Sequence, residues 1–250
     1  MTLIVRDLNR NRAIARRFGA AVGAYDAHAH LQGRVAESLA AHLPARGVRR
    51  VLEVGCGTGF LTGHLLDAYG AGEFLITDLA PEMVAECRKK LANRNQMRCR
   101  FAVMDGEAPD CGGAFDLIAT AMTLQWFADP LAGLARLQAL LTPEGELFYA
   151  TLGPESFGEW RAALAGEGLA EGVVAMPALT GVFHEEREVV AYEEGKDFLG
   201  HMRAIGAGEP RPGYRPLPPG RLRRALRVLE RDAASRVTWH FVYGRIGPLP

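Results

Sequence analysis

Val51-Leu52-Glu53-Val54-Gly55-Cys56-Gly57-Thr58-Gly59-Phe60 decides how the rest of the chain is read. An apolar strand carrying one acid runs into a G-x-G-x-G turn that opens a helix. Glycines at such a turn let the backbone pass close to a ligand at the C-terminal edge of the strand, where α/β sheets bind their ligands. A dinucleotide fingerprint would place another glycine at position 60, where Phe60 stands, and a P-loop would continue into Gly-Lys-Ser/Thr, which is missing. Glu53 points the same way: a carboxylate just before the turn repels a pyrophosphate and attracts a cation.

Outward from this segment, short apolar runs alternate with helical stretches. The runs are Val51–Val54, Phe74–Thr77, Arg100–Val103, Leu117–Ala119 and Leu147–Ala150, and the helix candidates are Leu61–Tyr69, Pro81–Ala92, Leu131–Leu140 and Glu155–Leu164. Pro81 suits the first turn of its helix, where a missing N–H costs nothing. Upstream, the Ala- and Arg-rich stretch to about Leu43 reads as helix, closed by Pro44 and Gly47. Downstream, Glu188–Tyr192 reads as a strand, Lys196–Ile205 as a helix, Gly206–Gly220 as loop, Arg221–Glu230 as a helix and Arg236–Tyr243 as the last strand. The pattern predicts a doubly wound α/β fold with a mostly parallel seven-stranded sheet. Residues 1–47 form an N-terminal helical lid, and 48–250 the main domain with a helical cap insertion at about 195–233.

Three acids close three consecutive strands. Glu53 can attract an ammonium group, Asp78 can accept from a ribose diol, and Asp105, in Val103-Met104-Asp105-Gly106-Glu107, can accept from an adenine amine. A ligand with an ammonium, a diol and an exocyclic amine is S-adenosylmethionine. Leu79 and Met83 are placed to pack on the adenine, as core packing would also place Met83. As turn residues or helix caps, Asp78 and Asp105 would need no ligand.

Composition adds exclusions. The 250 residues suffice for one domain with a cap, and no apolar run is long enough for a membrane span. Cys56, Cys87, Cys99 and Cys111 show no C-x-x-C spacing, which predicts a reduced, metal-free, cytoplasmic protein. Lys and Arg balance Asp and Glu at 29 each, so total charge favours neither nucleic acid nor membrane as a partner. Locally the balance fails, with Arg6, Arg10, Arg12, Arg16 and Arg17 against Asp7, and with Arg221, Arg223, Arg224, Arg227 and Arg231 in the late helix.

The chain resembles the class I methyltransferases over nearly its whole length and, within them, the malonyl-acyl-carrier-protein O-methyltransferases of biotin synthesis. The general part is Val51–Phe60 with Asp78 and Asp105. The more specific parts are Phe18-Gly19-Ala20-Ala21, Tyr25-Asp26-Ala27-His28-Ala29 with Leu31-Gln32, Leu124-Gln125-Trp126-Phe127, Arg203-Ala204-Ile205-Gly206-Ala207 and Thr238-Trp239-His240. The family often has lysine at the place of Arg203, and Gly208–Leu217 carries little family pattern.

The resemblance implies methyl transfer from S-adenosylmethionine to the free carboxylate of malonyl-acyl carrier protein, leaving S-adenosylhomocysteine. An ionised carboxylate needs no general base. The protein then has to align donor and acceptor and exclude water. On the acceptor side it implies Arg203 as the cation that holds the carboxylate, with Tyr25, Gln125, Trp126 and His240 as positioning residues. On the cofactor side it implies Tyr25 as a lid residue, the turn (Glu53, Gly55, Cys56, Gly57, Gly59), the second strand end (Asp78, Leu79, Met83), the third (Asp105, Gly106, Glu107) and Ala121. Arg223, Arg224, Arg227 and Arg231 fall opposite Leu222, Ala225, Leu226 and Leu229 on a helical wheel, a docking stripe for an acidic carrier or simply a solvated face. Two other readings stay open: a methyltransferase acting on a small carboxylate or quinone precursor, and a methyltransferase-fold scaffold without activity.

Overall fold

Val51, Leu52 and Val54 are all buried, as expected for a strand covered on both faces, and they place β1 (Arg50–Val54) at the centre of the sheet. In the computed structural model, which describes residues 8–94, 98–173, 176–211 and 213–248, β1 lies between β2 (Glu73–Asp78) and β4 (Phe115–Ala121). The other strands are β3 (Cys99–Val103), β5 (Leu141–Leu152), β6 (Val182–Ala191) and β7 (Arg236–Ile246). The seven run in the order β3-β2-β1-β4-β5-β7-β6, with β7 antiparallel to both neighbours and the rest parallel. Connections run outward from β1 in one direction and from β4 in the other. The crevice beyond their C-terminal ends is therefore the switch point where such sheets bind ligands. The doubly wound, mostly parallel architecture is the one expected.

Helices α4 (Phe60–Tyr69), α5 (Pro81–Lys90) and α6 (Pro130–Gln138) follow β1, β2 and β4. Pro81 and Pro130 sit in the first turns of their helices, and the Asp129 carboxylate accepts from Ala132 N–H at 3.0 Å as an N-cap. The N-terminal helical stretch is three helices, α1 (Leu8–Ala21), α2 (Tyr25–His28) and α3 (His30–Ala41). The chain turns between them at Val22–Ala24 and at Ala29, leaving Tyr25 and Gln32 facing inward. On the other side of the crevice stand α7 (Gly158–Gly166), α8 (Gly195–Ala204) and α9 (Pro219–Ala233).

Several boundaries differ from those expected. α9 begins at Pro219, inside the stretch read as loop, because a proline is tolerated in a first helical turn. β6 begins six residues before Glu188 and runs exposed and half-buried by turns, an edge strand rich in charge. β5 starts at Leu141, where a register shift opposite Phe115–Leu117 interrupts its pairing with β4. Arg6 and Asp7 of the first basic cluster lie outside the described residues. Arg10 of the same cluster is buried and donates to Trp126 O at 2.7 Å, so it fastens α1 to the sheet rather than facing solvent.

Candidate active site

The glycine turn is held by main-chain bonds. Gly55 and Cys56 N–H both donate to Thr77 O, at 2.8 and 2.9 Å, and Gly57 N–H donates to the Asp78 carboxylate at 2.9 Å. Gly55 has φ +75°, and a Cβ there would lie 2.0 Å from Thr123 Oγ1. Gly57, at φ +52°, would meet nothing within 4 Å, because it faces the open cleft. Gly59 does not line that cleft: a Cβ on it would sit 3.1 Å from Cys87 Sγ, so its bareness lets α5 pack against the turn.

Of the three strand-end acids, Asp78 and Asp105 line this first cleft together. The second Asp78 oxygen accepts from Ala80 N–H at 2.8 Å, and burial pushes its pKa up while these main-chain donors oppose the rise. Asp105 accepts from Glu107 N–H at 3.0 Å and from the Asn11 side-chain amide of α1 at 2.9 Å. Glu53 stands apart. Paired through its backbone between Ile76 and Ala119, it is 1% exposed, lies behind the turn and lines no part of the cleft. Neither of its oxygens has a hydrogen-bond partner among the described residues. Burial, and next the nearby Cys87, push its pKa well up, with the Thr62 hydroxyl as the opposing neighbour. A cation reaching the turn would supply what that carboxylate lacks.

A second cleft of about 350 Å³ adjoins the first and shares Phe18, Tyr25, Gln32, Met122 and Trp126 with it. Its walls are mostly apolar, among them Phe157, Trp160, Phe198, Met202, Leu222 and Trp239. Arg203 reaches it from α8, and its guanidinium has no hydrogen bond or ion pair among the described residues, whereas Arg17 at the same cleft is paired with Glu209 at 2.7 Å. Tyr25 is buried in the common wall, and its hydroxyl is pushed up in pKa by burial and by Asp78 and Asp26, so it stays protonated. Trp126 stands edge-on to Phe18, ring centroids 5.2 Å apart.

The remaining expected residues divide by what their side chains already do. Cys56, Leu79, Met83, Gly106 and Ala121 line the first cleft. Glu107 borders it too, but both its oxygens are engaged by the N–H groups of Ala128 and Asp129, at 2.9 and 2.8 Å, so it caps a loop. Gln125 borders the second cleft with its amide committed, donating to Met122 O and accepting from Thr151, each at 2.8 Å. His240 is not in either cleft. Strand alternation turns Trp239 toward the cavity and His240 to the opposite face, where Nδ1 accepts from Glu155 N–H at 3.3 Å and Nε2 donates to Glu185 at 3.2 Å. Asn11, Gln32 and Phe18 line the clefts as well; the sequence marks Phe18 and Gln32 only as part of the family pattern and Asn11 not at all, since a helix face names no ligand until its neighbours are known.

The N-terminal helices are tied down at several points. Asp26 accepts from Thr58 at 2.6 Å and pairs with Lys90, His201 donates to His28 O at 2.9 Å, and Gly206 lets Phe18 approach to within 2.9 Å of where a Cβ would stand. The stripe Arg223, Arg224, Arg227 and Arg231 is exposed on α9, while Ala225 and Leu229 are buried beneath it. Arg224 pairs with Glu167 and Arg231 with Asp232, at 2.8 and 2.5 Å, leaving Arg223 and Arg227 without a carboxylate partner among the described residues.

This strand order, with its glycine turn and paired strand-end acids at the switch point, is the architecture of the class I methyltransferases. Residues 51–145 match the family profile described as a methyltransferase domain. A crystal structure of the YcgJ protein of Bacillus subtilis superposes with a TM-score of 0.61 at 14% identity, over 87% of this chain and 99% of that one. A malonyl-[acyl-carrier protein] O-methyltransferase of Magnetococcus marinus is 37% identical over 94% of this chain and 92% of its own length. The biotin biosynthesis bifunctional protein BioCD of Bordetella avium is 40% identical over 94% of this chain, which spans 52% of that longer protein. The chain belongs to the malonyl-[acyl-carrier protein] O-methyltransferase family.

Proposed function

We propose that the chain transfers the methyl group of S-adenosylmethionine to the free carboxylate of a malonyl group carried as a thioester on acyl carrier protein. The observation that carries the reading is the common wall between two unlike clefts. One is bordered by the glycine turn and the carboxylates of Asp78 and Asp105, and the other by aromatic and aliphatic side chains, with the Arg203 guanidinium, which has no carboxylate partner among the described residues, reaching into it. Donor and acceptor can thus meet with water excluded.

When bound, the cofactor supplies an electrophilic methyl on a sulfonium. Asp78 would accept from the ribose diol and Asp105 from the adenine amine, while Glu53, buried behind the turn, would act on the ammonium only through its charge. Arg203 would hold the acceptor carboxylate, and the shared aromatic residues would keep the junction dry. One carboxylate oxygen bonds to the methyl carbon as the carbon–sulfur bond breaks and its electron pair stays on sulfur. No proton moves, because the carboxylate is already ionised at neutral pH. Two charges vanish in the reaction, so apolar walls favour the transition state over the separated ions. The cleft of about 350 Å³ exceeds what a three-carbon acid fills, which leaves room for part of the thioester arm. Arg223 and Arg227, free of carboxylate partners, would meet an acidic carrier.

Incubation with malonyl-carrier and cofactor, read by mass, tests the reading. The expected product is the methyl ester of the terminal carboxyl. Equal turnover of small dicarboxylic acids would replace the carrier-borne acceptor with a small one. Absence of cofactor binding would leave a scaffold.

A further inference from the structure

Gln32 is the third residue of α3, and its side chain forms part of the wall common to both clefts. It is 7% exposed, and its amide oxygen is buried with no hydrogen-bond donor among the described residues. Around it on the helix, Leu31, Val35 and Ala36 are buried and apolar. The nearby Gln125 makes a telling contrast, because both ends of its amide are engaged by Met122 and Thr151. A buried amide oxygen left without a donor destabilises a fold, and such groups concentrate where a ligand completes them. The other side chains of the common wall are Phe18, Tyr25, Met122 and Trp126, none of them charged.

Resting on the cofactor reading above, we infer that the Gln32 amide oxygen lies against the sulfonium and the methyl C–H groups it polarises, and so aims the methyl at the acceptor. A carbonyl dipole attracts a cation, and C–H groups beside positive charge are weak donors to such an oxygen. After transfer the sulfur is a neutral thioether, so the contact favours the donor over the product and speeds product exchange. The choice of an amide also has a chemical reason. A carboxylate here would be a second nucleophile beside the methyl and would compete with the acceptor. An amide oxygen carries partial negative charge without that reactivity.

The test is calorimetric titration of the wild-type chain, Gln32→Met and Gln32→Ala with S-adenosylmethionine and, separately, with S-adenosylhomocysteine. A hydrogen-bond acceptor facing a cation predicts a loss of about tenfold in affinity for the sulfonium ligand and little change for the thioether, with kcat reduced about tenfold or more. Tm should hold or rise in Gln32→Met, which removes a buried polar group at nearly constant volume. Equal losses for both ligands, or a fall in Tm that accounts for the lost activity in both variants, would overturn the inference by assigning Gln32 to the fold or to a part both ligands share. A wild-type chain that binds neither ligand would instead remove the cofactor reading on which the inference stands.

Discussion

The two clefts share a wall and differ in how they are made. Around the first, the polar side chains are fixed by the main chain: Asp78 by Gly57 and Ala80, Asp105 by Glu107, and Glu107 by Ala128 and Asp129. Around the second, the walls are helices and a segment rich in proline and glycine, and the guanidinium that reaches in, that of Arg203, has no partner among the described residues. A cleft whose carboxylates are held by backbone donors is organised before any ligand arrives. The other, with the Arg203 guanidinium on a helix end, would on the proposed reading be completed only when an acceptor carboxylate takes that guanidinium. The contrast then implies that the methyl donor would meet a preformed site and the acceptor would help to complete its own.

Gly57→Leu should have the largest effect on that contrast. A side chain there projects into the first cleft, so cofactor affinity should fall about a hundredfold or more in calorimetry. The left-handed backbone adds about 1–2 kcal/mol of strain, a Tm shift of several degrees at most. Undiminished cofactor affinity would place the ligand elsewhere. Next, Arg203→Leu should lower kcat/KM for malonyl-carrier about ten- to a hundredfold while leaving cofactor affinity unchanged. A parallel loss of cofactor affinity would mean that the two clefts act as one.

Smaller still, Arg223→Glu with Arg227→Glu should cost about tenfold in kcat/KM on carrier-borne substrate and nothing on a small malonyl thioester, with the difference shrinking as salt rises. Losing both substrates equally would make the stripe a solvated face.

The smallest effect concerns Glu53. Its raised pKa means that the ligand-free fold holds a proton the unfolded chain would release. Its contribution to stability is thus present at low pH and lost as pH rises through the raised value. A cation at the turn favours the ionised form, so cofactor binding should release a proton and tighten a few-fold as pH climbs above the ordinary carboxylate range. Glu53→Gln should flatten both profiles, in calorimetry and in Tm against pH. A pH slope that persists in the variant belongs to another group.

The same contrast explains what the chain disclosed before its coordinates. Residues 51–60 specify the turn because only glycine tolerates those backbone angles, and the acids beyond it follow strand ends that apolar runs make visible. The acceptor cleft is assembled from Phe18, Gln32, Met122, Trp160 and Trp239, which meet only through tertiary packing, and no spacing announces them. The family resemblance alone implies His240 and Gln125 on the acceptor side. A half-period of strand turned the first away, and local hydrogen bonds used up the second. β6 hid its first residues because Glu185, Glu186 and Arg187 read as surface, as edge strands do.

Phe18, Tyr25 and Gln32 roof both chambers from one set of N-terminal helices. On the proposed reading both reactants would touch this one roof, so a change that either makes in it would be felt by the other. Linkage would make any such effect mutual: methyl donor and acyl acceptor would change each other's affinity by the same factor.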